Sequence, residues 1–284
     1  MANQLVQDLI EAGIHFGQRA SGWNPKMQPF IYGKRNGIHI IDIKETVKGL
    51  LLAKRFIAKT VADGKDVCFV GTKRQAKSVL EARVPDVKMH YVTERWLGGT
   101  LTNFRTIRTR LKRLEELEGI DAGADGFTKY SKKMESQLKR EKRKISRNLE
   151  GIRHMEKLPG VLVVLDVRKE HTALKEARKL GIPTICLIDT DGDPDAADIA
   201  IPGNDDSMRS IDVVIRELCL AISEGRQQRD MTKDAGATSG ESTGEAGQPR
   251  RSRRAQFRAA DAEGESGEGP APASSPSRPE ASKV

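Results

Sequence analysis

A parallel α/β sheet covered on both faces by helices is the fold class this chain predicts, and three observations carry it. The runs Val67-Cys68-Phe69-Val70, Val161 to Leu165 and Thr184 to Ile188 are short and almost wholly apolar, as strands buried on both faces are. Segments with helical spacing alternate with them, which implies crossover connections and helices on either side of the sheet. Between residues 103 and 157 the alternation breaks, and two basic amphipathic stretches flank a glycine-rich turn.

Taken in order, residues 3–12 carry a short helical pattern, Gly13 to Gly37 read as irregular and turn-rich, and Ile38 to Ile41 read as the first strand. Asp42 is placed to cap a helix whose apolar positions Val47, Leu50, Leu51, Ile57, Ala58 and Val61 recur at helical spacing, and Asp63-Gly64 ends it. After the strand at 67–70, Gly71-Thr72-Lys73-Arg74 turns into a helix through about Ala82, and Met89 to Val92 form another short strand. A helix from Glu170 to Leu180 joins the two later strands. Ile199 to Ile201 predict an edge strand and Ser207 to Ser223 a closing helix.

The interruption has its own logic. Ile107, Leu111, Leu114 and Leu117 make one apolar seam within Asn103 to Leu117; Met134, Leu138, Ile145, Leu149 and Ile152 make another within Tyr130 to Lys157. Two narrow seams joined by a glycine-rich turn predict an antiparallel coiled-coil hairpin. From Gln228 onward large apolar residues nearly vanish, so the tail reads as disordered. The chain thus divides into 1–103, the first part of the α/β domain with an N-terminal RNA-binding segment; 104–157, the hairpin; 158–227, the rest of the α/β domain; and 228–284, the tail.

Of 284 residues 37% are hydrophobic, and no run of eighteen apolar residues exists to span a membrane. The N-terminus carries neither a signal-peptide pattern nor an Arg-rich presequence, which predicts a cytoplasmic protein. Cys68 and Cys186 lie inside strand-like runs and read as buried free thiols. The net charge of +9 is uneven. Residues 1–103 hold 16 Lys and Arg against 9 Asp and Glu, and 104–157 hold the same numbers, so each is +7; 158–227 is −5 and 228–284 is neutral. A polyanion docking on the first half follows from that asymmetry.

The most informative stretch is Arg95-Trp96-Leu97-Gly98-Gly99-Thr100-Leu101-Thr102-Asn103, where a cation, an indole, paired glycines and hydrogen-bonding side chains separate a strand from a long helix. Glycine lets backbone approach a polar surface closely, and arginine pairs with phosphate. Trp96 is assigned to the core and Arg95 to RNA. Within 13–37, Trp23, Phe30 and Tyr32 interleave with Arg19, Lys26, Lys34 and Arg35, a mixture that suits irregular RNA or a clasp with rings inward and charges outward. The candidate RNA contacts are Trp23, Lys26, Lys34, Arg35, Asn36, Lys73, Arg74, Arg95, Thr100, Asn103, Arg105 and Arg108.

Other chemistry is weak. Val70-Gly71-Thr72-Lys73 opens a helix but matches no dinucleotide or Walker A spacing. Asp189 to Asp193 starts like a calcium loop, yet position six is Pro194 and position twelve Ala200. His15, His39, His90, His154 and His171 lie at no metal-ligand spacing from one another or from a Cys. No catalytic residue, metal or cofactor is predicted. The rival readings are a doubly wound enzyme with a site near Gly71 and Asp166, and a coiled-coil adaptor binding proteins through 104–157.

These residues together resemble the bacterial ribosomal protein S2 family of the small subunit. Glu11-Ala12-Gly13-Ile14-His15-Phe16-Gly17, Trp23-Asn24-Pro25-Lys26-Met27 and Arg35-Asn36-Gly37-Ile38-His39-Ile40-Ile41-Asp42 are similar to its first signature. Phe69-Val70-Gly71-Thr72-Lys73 and Arg95 to Asn103 are similar to its central ones. Asp166, Arg168 to His171, Glu176-Ala177 and Ile201 to Asp206 are similar to its last. The resemblance implies a flavodoxin-like, three-layer α/β/α domain with a protruding coiled-coil hairpin and no catalysis. It implies binding to small-subunit rRNA at the head–body junction, beside other small-subunit proteins, S1 among them where it is present, with no DNA or membrane partner. Gln18 departs from the family, which usually has histidine there, and the tail after residue 227 is atypical.

Overall fold

The structure is a computed structural model that describes residues 2–123, 127 and 130–238. Its elements in chain order are α1 (Ala2–Glu11), β1 (Phe16–Arg19), β2 (Ile31–Arg35), β3 (Ile38–Ile41), α2 (Ile43–Ala62), β4 (Val67–Val70), α3 (Arg74–Arg83) and β5 (His90–Val92). Then come α4 (Phe104–Ala122), α5 (Lys132–Leu149), β6 (Val161–Leu165), α6 (His171–Leu180), β7 (Thr184–Ile188), β8 (Ile199–Pro202) and α7 (Met208–Thr238).

Five strands form one parallel sheet in the order β5-β4-β6-β7-β8. Counted from β4, that is 2-1-3-4-5, a doubly wound order whose switch point lies between β4 and β6. The apolar strands serve both faces because alternate side chains point opposite ways. Val67, Phe69, Val161, Val163, Leu165, Ile185 and Leu187 join α1, α2, α3 and α7 in one core. Cys68, Val70, Leu162, Val164, Cys186 and Ile188 join α4, α5 and α6 in the other. Three α/β/α layers result. Asp42 caps α2 as its position predicted, its side chain accepting from the Lys44 backbone N–H at 2.9 Å. At Gly49 α2 lies so close to β8 that any Cβ would strike the Ala200 carbonyl.

Three expectations need correction. The segment 13–37 is not merely irregular: β1 and β2 pair with β3 in an antiparallel sheet of order β1-β3-β2, so Ile38 to Ile41 lie outside the parallel sheet. The Asn36-Gly37 dipeptide closes the β2–β3 hairpin with φ of 51° and 78°, the left-handed pair that a two-residue turn demands. The second helix of the insertion stops at Leu149, short of Lys157, and passes into a 3-10 turn at Glu150–Ile152. There Gly151 comes so near β5 that a Cβ would overlap the Tyr91 carbonyl. Helix α7 runs through Thr238, past the boundary at 227, so residues 228–238 are helical; the rest of the tail, 239–284, lies outside the described residues.

The insertion does not stand apart from the sheet. Leu111, Leu114, Leu117, Leu138, Ile145 and Leu149 belong to the same continuous core as Val70 and Val164, and residues 1–237 form one compact unit. The narrow seams are narrow on each helix, but they close over the second face of the sheet at their root.

Candidate nucleic-acid interface

The Arg95–Asn103 loop is built around one carboxylate from a distant helix. Glu176, buried on α6, accepts from the Trp96 indole N–H at 3.1 Å and the Gly99 backbone N–H at 2.7 Å through one oxygen. Its other oxygen accepts from the backbone N–H of Leu101 at 3.0 Å, the backbone N–H of Thr102 at 3.1 Å and the Thr102 hydroxyl at 3.2 Å. Gly99 makes this possible with φ of 92°, a conformation L side chains rarely adopt. Burial pushes the Glu176 carboxyl up, and the N–H donors of Gly99, Thr102, Leu101 and Trp96 together hold it below its ordinary value. The paired glycines therefore fold the loop onto an internal anion. Trp96 is in the core, 7% exposed, as its assignment predicted.

The carboxyl edge of the sheet holds the opposite arrangement. Lys73, at the turn from β4 into α3, places its ammonium 2.9 Å from Asp166, 2.7 Å from Asp205 and 2.9 Å from Asp206. Gln18 from β1 donates its amide to Asp189 and Asp206, and its backbone N–H to the Thr190 hydroxyl. Burial alone would pull the Lys73 ammonium down; Asp205, Asp166 and Asp206 more than reverse that, so it stays a cation. Burial pushes Asp205 up to about 7 and Asp189 up to about 6. The ligand crevice of a doubly wound sheet lies at the switch point beyond the carboxyl ends of its strands. Here that place is filled by an ion cluster clamped under the N-terminal sheet. Asp166, at φ 72°, spends one oxygen on the backbone N–H groups of Arg168 and Lys169 at 2.9 and 3.2 Å. Thr72 donates its N–H and hydroxyl to Glu170, whose carboxyl burial raises.

The carboxylates of Asp189, Asp205 and Asp206 lie close enough to share an ion, a grouping that residue spacing could not show because they come from the ends of β7 and β8. Lys73 already supplies the countercharge of Asp205 and Asp206, and the Gln18 amide donates to Asp189.

The predicted contacts sort into four groups. Lys34, Arg35, Arg74, Arg95 and Arg105 are exposed, and no ion pair engages them among the described residues. Asn36 and Asn103 are exposed at a hairpin turn and at the start of α4; Asn103 accepts from the Thr106 hydroxyl at 2.8 Å. Trp23 is half-buried and stacks on His39, with ring centroids 5.1 Å apart. The others are engaged internally. Lys73 is held by carboxylates. Thr100 is buried and donates to the Leu97 carbonyl at 2.5 Å. Lys26 pairs with Asp193 at 3.0 Å and Asp195 at 2.7 Å. Arg108 reaches the Met155 carbonyl at 3.4 Å. A strand-to-helix turn and a glycine loop resemble phosphate sites, and here Lys73 and Thr100 are both satisfied from within.

The candidate contacts left out residues of one basic surface. Helix α5 carries eight Lys and Arg against two Glu. Arg140, Arg143 and Lys144 are exposed and unpaired among the described residues, and Arg140 and Arg143 line an open groove of about 500 Å³ on that helix with Lys132 and Lys139. The signal was present in the charge count, and the periodicity along one face would have located it.

Residues 9–225 match the model of the family described as Ribosomal protein S2. The small ribosomal subunit protein uS2 of Rhodopirellula baltica is 56% identical over 228 residues, covering 80% of this chain and 87% of the relative. The corresponding protein of Synechocystis sp. is 46% identical over 230 residues, covering 81% and 85%. The uS2c protein of Guillardia theta is 48% identical over 220 residues, covering 78% and 93%. With a family match over most of its length and relatives of this identity, the chain belongs to the ribosomal protein S2 family.

Proposed function

We propose that the protein is a structural component of the small ribosomal subunit that binds small-subunit rRNA and neighbouring ribosomal proteins, S1 among them, and performs no catalysis. The observation that carries this reading is a set of exposed cations within the basic residues 1–157, each without an ion-pair partner among the described residues: Arg74, Arg95 and Arg105 around the sheet edge and loop, Lys34 and Arg35 on the N-terminal hairpin, Arg140, Arg143 and Lys144 on α5. Such groups bind a phosphate backbone by releasing its counterions. The filled crevice at the switch point supports a binding role over an enzymatic one.

The insertion 104–157 is, in this reading, an antiparallel coiled-coil hairpin that extends the basic surface. Asp121 near the end of α4 meets Lys142 at 2.6 Å, while Arg108 near its start reaches Met155, pairings that run in opposite directions. Residues 239–284 serve as a polar tail.

Filter binding of the purified protein to small-subunit rRNA across a salt series tests the reading. Arg74→Ala, Arg95→Ala and Arg105→Ala together, and Arg140→Ala, Arg143→Ala and Lys144→Ala together, should each flatten the log–log salt slope by roughly 0.9 per lost contact. Slopes equal to wild type in both triple variants would sink it.

A further inference from the structure

We propose that Glu176 is the positioning residue of the RNA-binding loop: its carboxylate occupies an anion nest formed by Trp96, Gly99, Leu101 and Thr102, the place where an external anion would otherwise bind. The nest stands on geometry alone; its consequence for RNA rests on the reading above.

Five donors from four residues converge on two oxygens at 2.7 to 3.2 Å. An ionised carboxylate is acceptor-only, with about four lone-pair sites on its two oxygens; these match the four N–H donors, and the Thr102 hydroxyl, the longest of the five contacts at 3.2 Å, shares the second oxygen with them. Backbone N–H groups turned together by a left-handed glycine are the arrangement that captures phosphate and carboxylate in protein anion sites. The loop also leads directly into α4, a 19-residue helix whose N-terminal dipole favours a negative charge, and whose Asn103 makes no side-chain cap to the backbone. No cation pairs with Glu176 among the described residues. N–H dipoles and the Thr102 hydroxyl hold its charge, which is the signature of an anion site and not of an ion pair.

Because Glu176 consumes these donors, RNA phosphate has no use for them. What the loop offers instead is Arg95 on one flank and Arg105 on the other, both exposed. Their separation and direction are set by how the backbone between them is wrapped around the carboxylate. The loop is thus pre-organised from within, by a residue 71 positions beyond Arg105 that touches no ligand.

Chemical rescue tests this. Glu176→Ala empties the nest, and formate, a free carboxylate small enough to enter, should refill it. The full-length variant is expected to bind small-subunit rRNA roughly tenfold more weakly than wild type, the scale of one displaced arginine contact. Sodium formate should restore most of that affinity relative to sodium chloride at matched ionic strength, which controls for screening. In ¹⁵N spectra the Trp96 indole N–H resonance should move away from its wild-type position in the variant and return with formate. A purely structural role would give no anion-specific recovery. Wild-type affinity in Glu176→Ala, or no response of Trp96 to formate, overturns the proposal. If Glu176→Ala does not fold, Glu176→Gln decides: the amide presents N–H groups to donors, so weaker RNA binding and a shifted Trp96 resonance are expected, and unchanged affinity refutes positioning. Wild-type protein that fails to bind the RNA removes the RNA reading and the positioning role together, while the Trp96 response to formate still decides the nest.

Discussion

The loop after β4 and the loop after β5 each bury one charge, and they solve the problem with opposite chemistry. Lys73 is surrounded by full charges, Asp166, Asp205 and Asp206; Glu176 is surrounded by dipoles, three backbone N–H groups, an indole and a hydroxyl. The difference shows in the carboxyls. At the Lys73 cluster three acids compete for one cation, and burial leaves Asp205 up at about 7. At the nest nothing competes, and Glu176 sits below its ordinary value despite burial. Neutralisation by ions leaves a surplus of acid, whereas neutralisation by backbone does not. The first arrangement ties separate chain segments together; the second fixes the shape of one loop.

The largest expected effect breaks the first arrangement. Lys73→Ala leaves the carboxylates facing each other without a cation and should cost about 3–5 kcal/mol near neutral pH, the range for stripping one partner from a buried ion cluster. The sign of its pH dependence is fixed by Asp205 and Asp189. Their folded pKa values are raised, to about 7 and about 6, so the folded protein binds protons more tightly than the unfolded chain between the ordinary carboxylate value and those pH values. Stability therefore falls as pH rises through that window, and more steeply in the variant, which lacks the countercharge. Urea unfolding at about pH 5.5 and about pH 8 should show the smaller loss at the lower pH. An equal loss at both would mean the acids do not feel Lys73.

The nest should respond in the reverse direction and with a smaller amplitude. Glu176→Gln is expected to cost about 1–3 kcal/mol at neutral pH, the penalty for leaving buried donors without acceptors. Glu176 has a depressed folded pKa, so its contribution is fully present above the unfolded value and is lost as pH falls through the folded value. The gap between wild type and variant should accordingly shrink in acid, where the wild-type carboxyl is itself protonated. Urea midpoints followed from neutral pH downward check this. A gap that widens in acid would reverse the assignment of the shift.

The same comparison explains what was legible in the sequence. Val67 to Val70, Val161 to Leu165 and Thr184 to Ile188 announced buried parallel strands because an apolar run needs cover on both faces, and α4 and α6 were marked by their periodicity. Tryptophan beside paired glycines marked the loop, and Trp96 is where its apolar ring placed it. The partners of the loop were not legible. Glu176 lies 77 residues from Gly99, and on its own helix it reads as one more surface acid. Asp205 and Asp206 reach Lys73 across more than 130 residues for the same reason. Residue type reveals which charges exist; only the folded chain shows which are spent on one another. The N-terminal sheet was missed because β1 and β2 are four and five residues long and interrupted by glycine, so neither offers enough alternation to register as a strand.

The smallest expected effect concerns Lys26, which separates a buried charge from an exposed one. Its ammonium meets Asp193 and Asp195 much as Lys73 meets its acids, but the lysine side chain is 51% exposed and water screens the pair. Its hydrogen bonds to the Asp195 and Asp193 carboxylates raise its pKa, yet it is already a cation at neutral pH, so the shift changes no charge there. Lys26→Ala should leave the urea midpoint where it is in wild type, in contrast to Lys73→Ala. The pairing also bears on RNA. A lysine held by two carboxylates forms part of a site with a net negative charge, and a phosphate approaching it meets Asp193 and Asp195 as well. The salt slope of rRNA binding should therefore change by well under one unit in Lys26→Ala, against roughly 0.9 for each free arginine removed. A full unit lost at Lys26 would show that RNA displaces the acids, and that Lys26 belongs with Arg95 and not with Lys73.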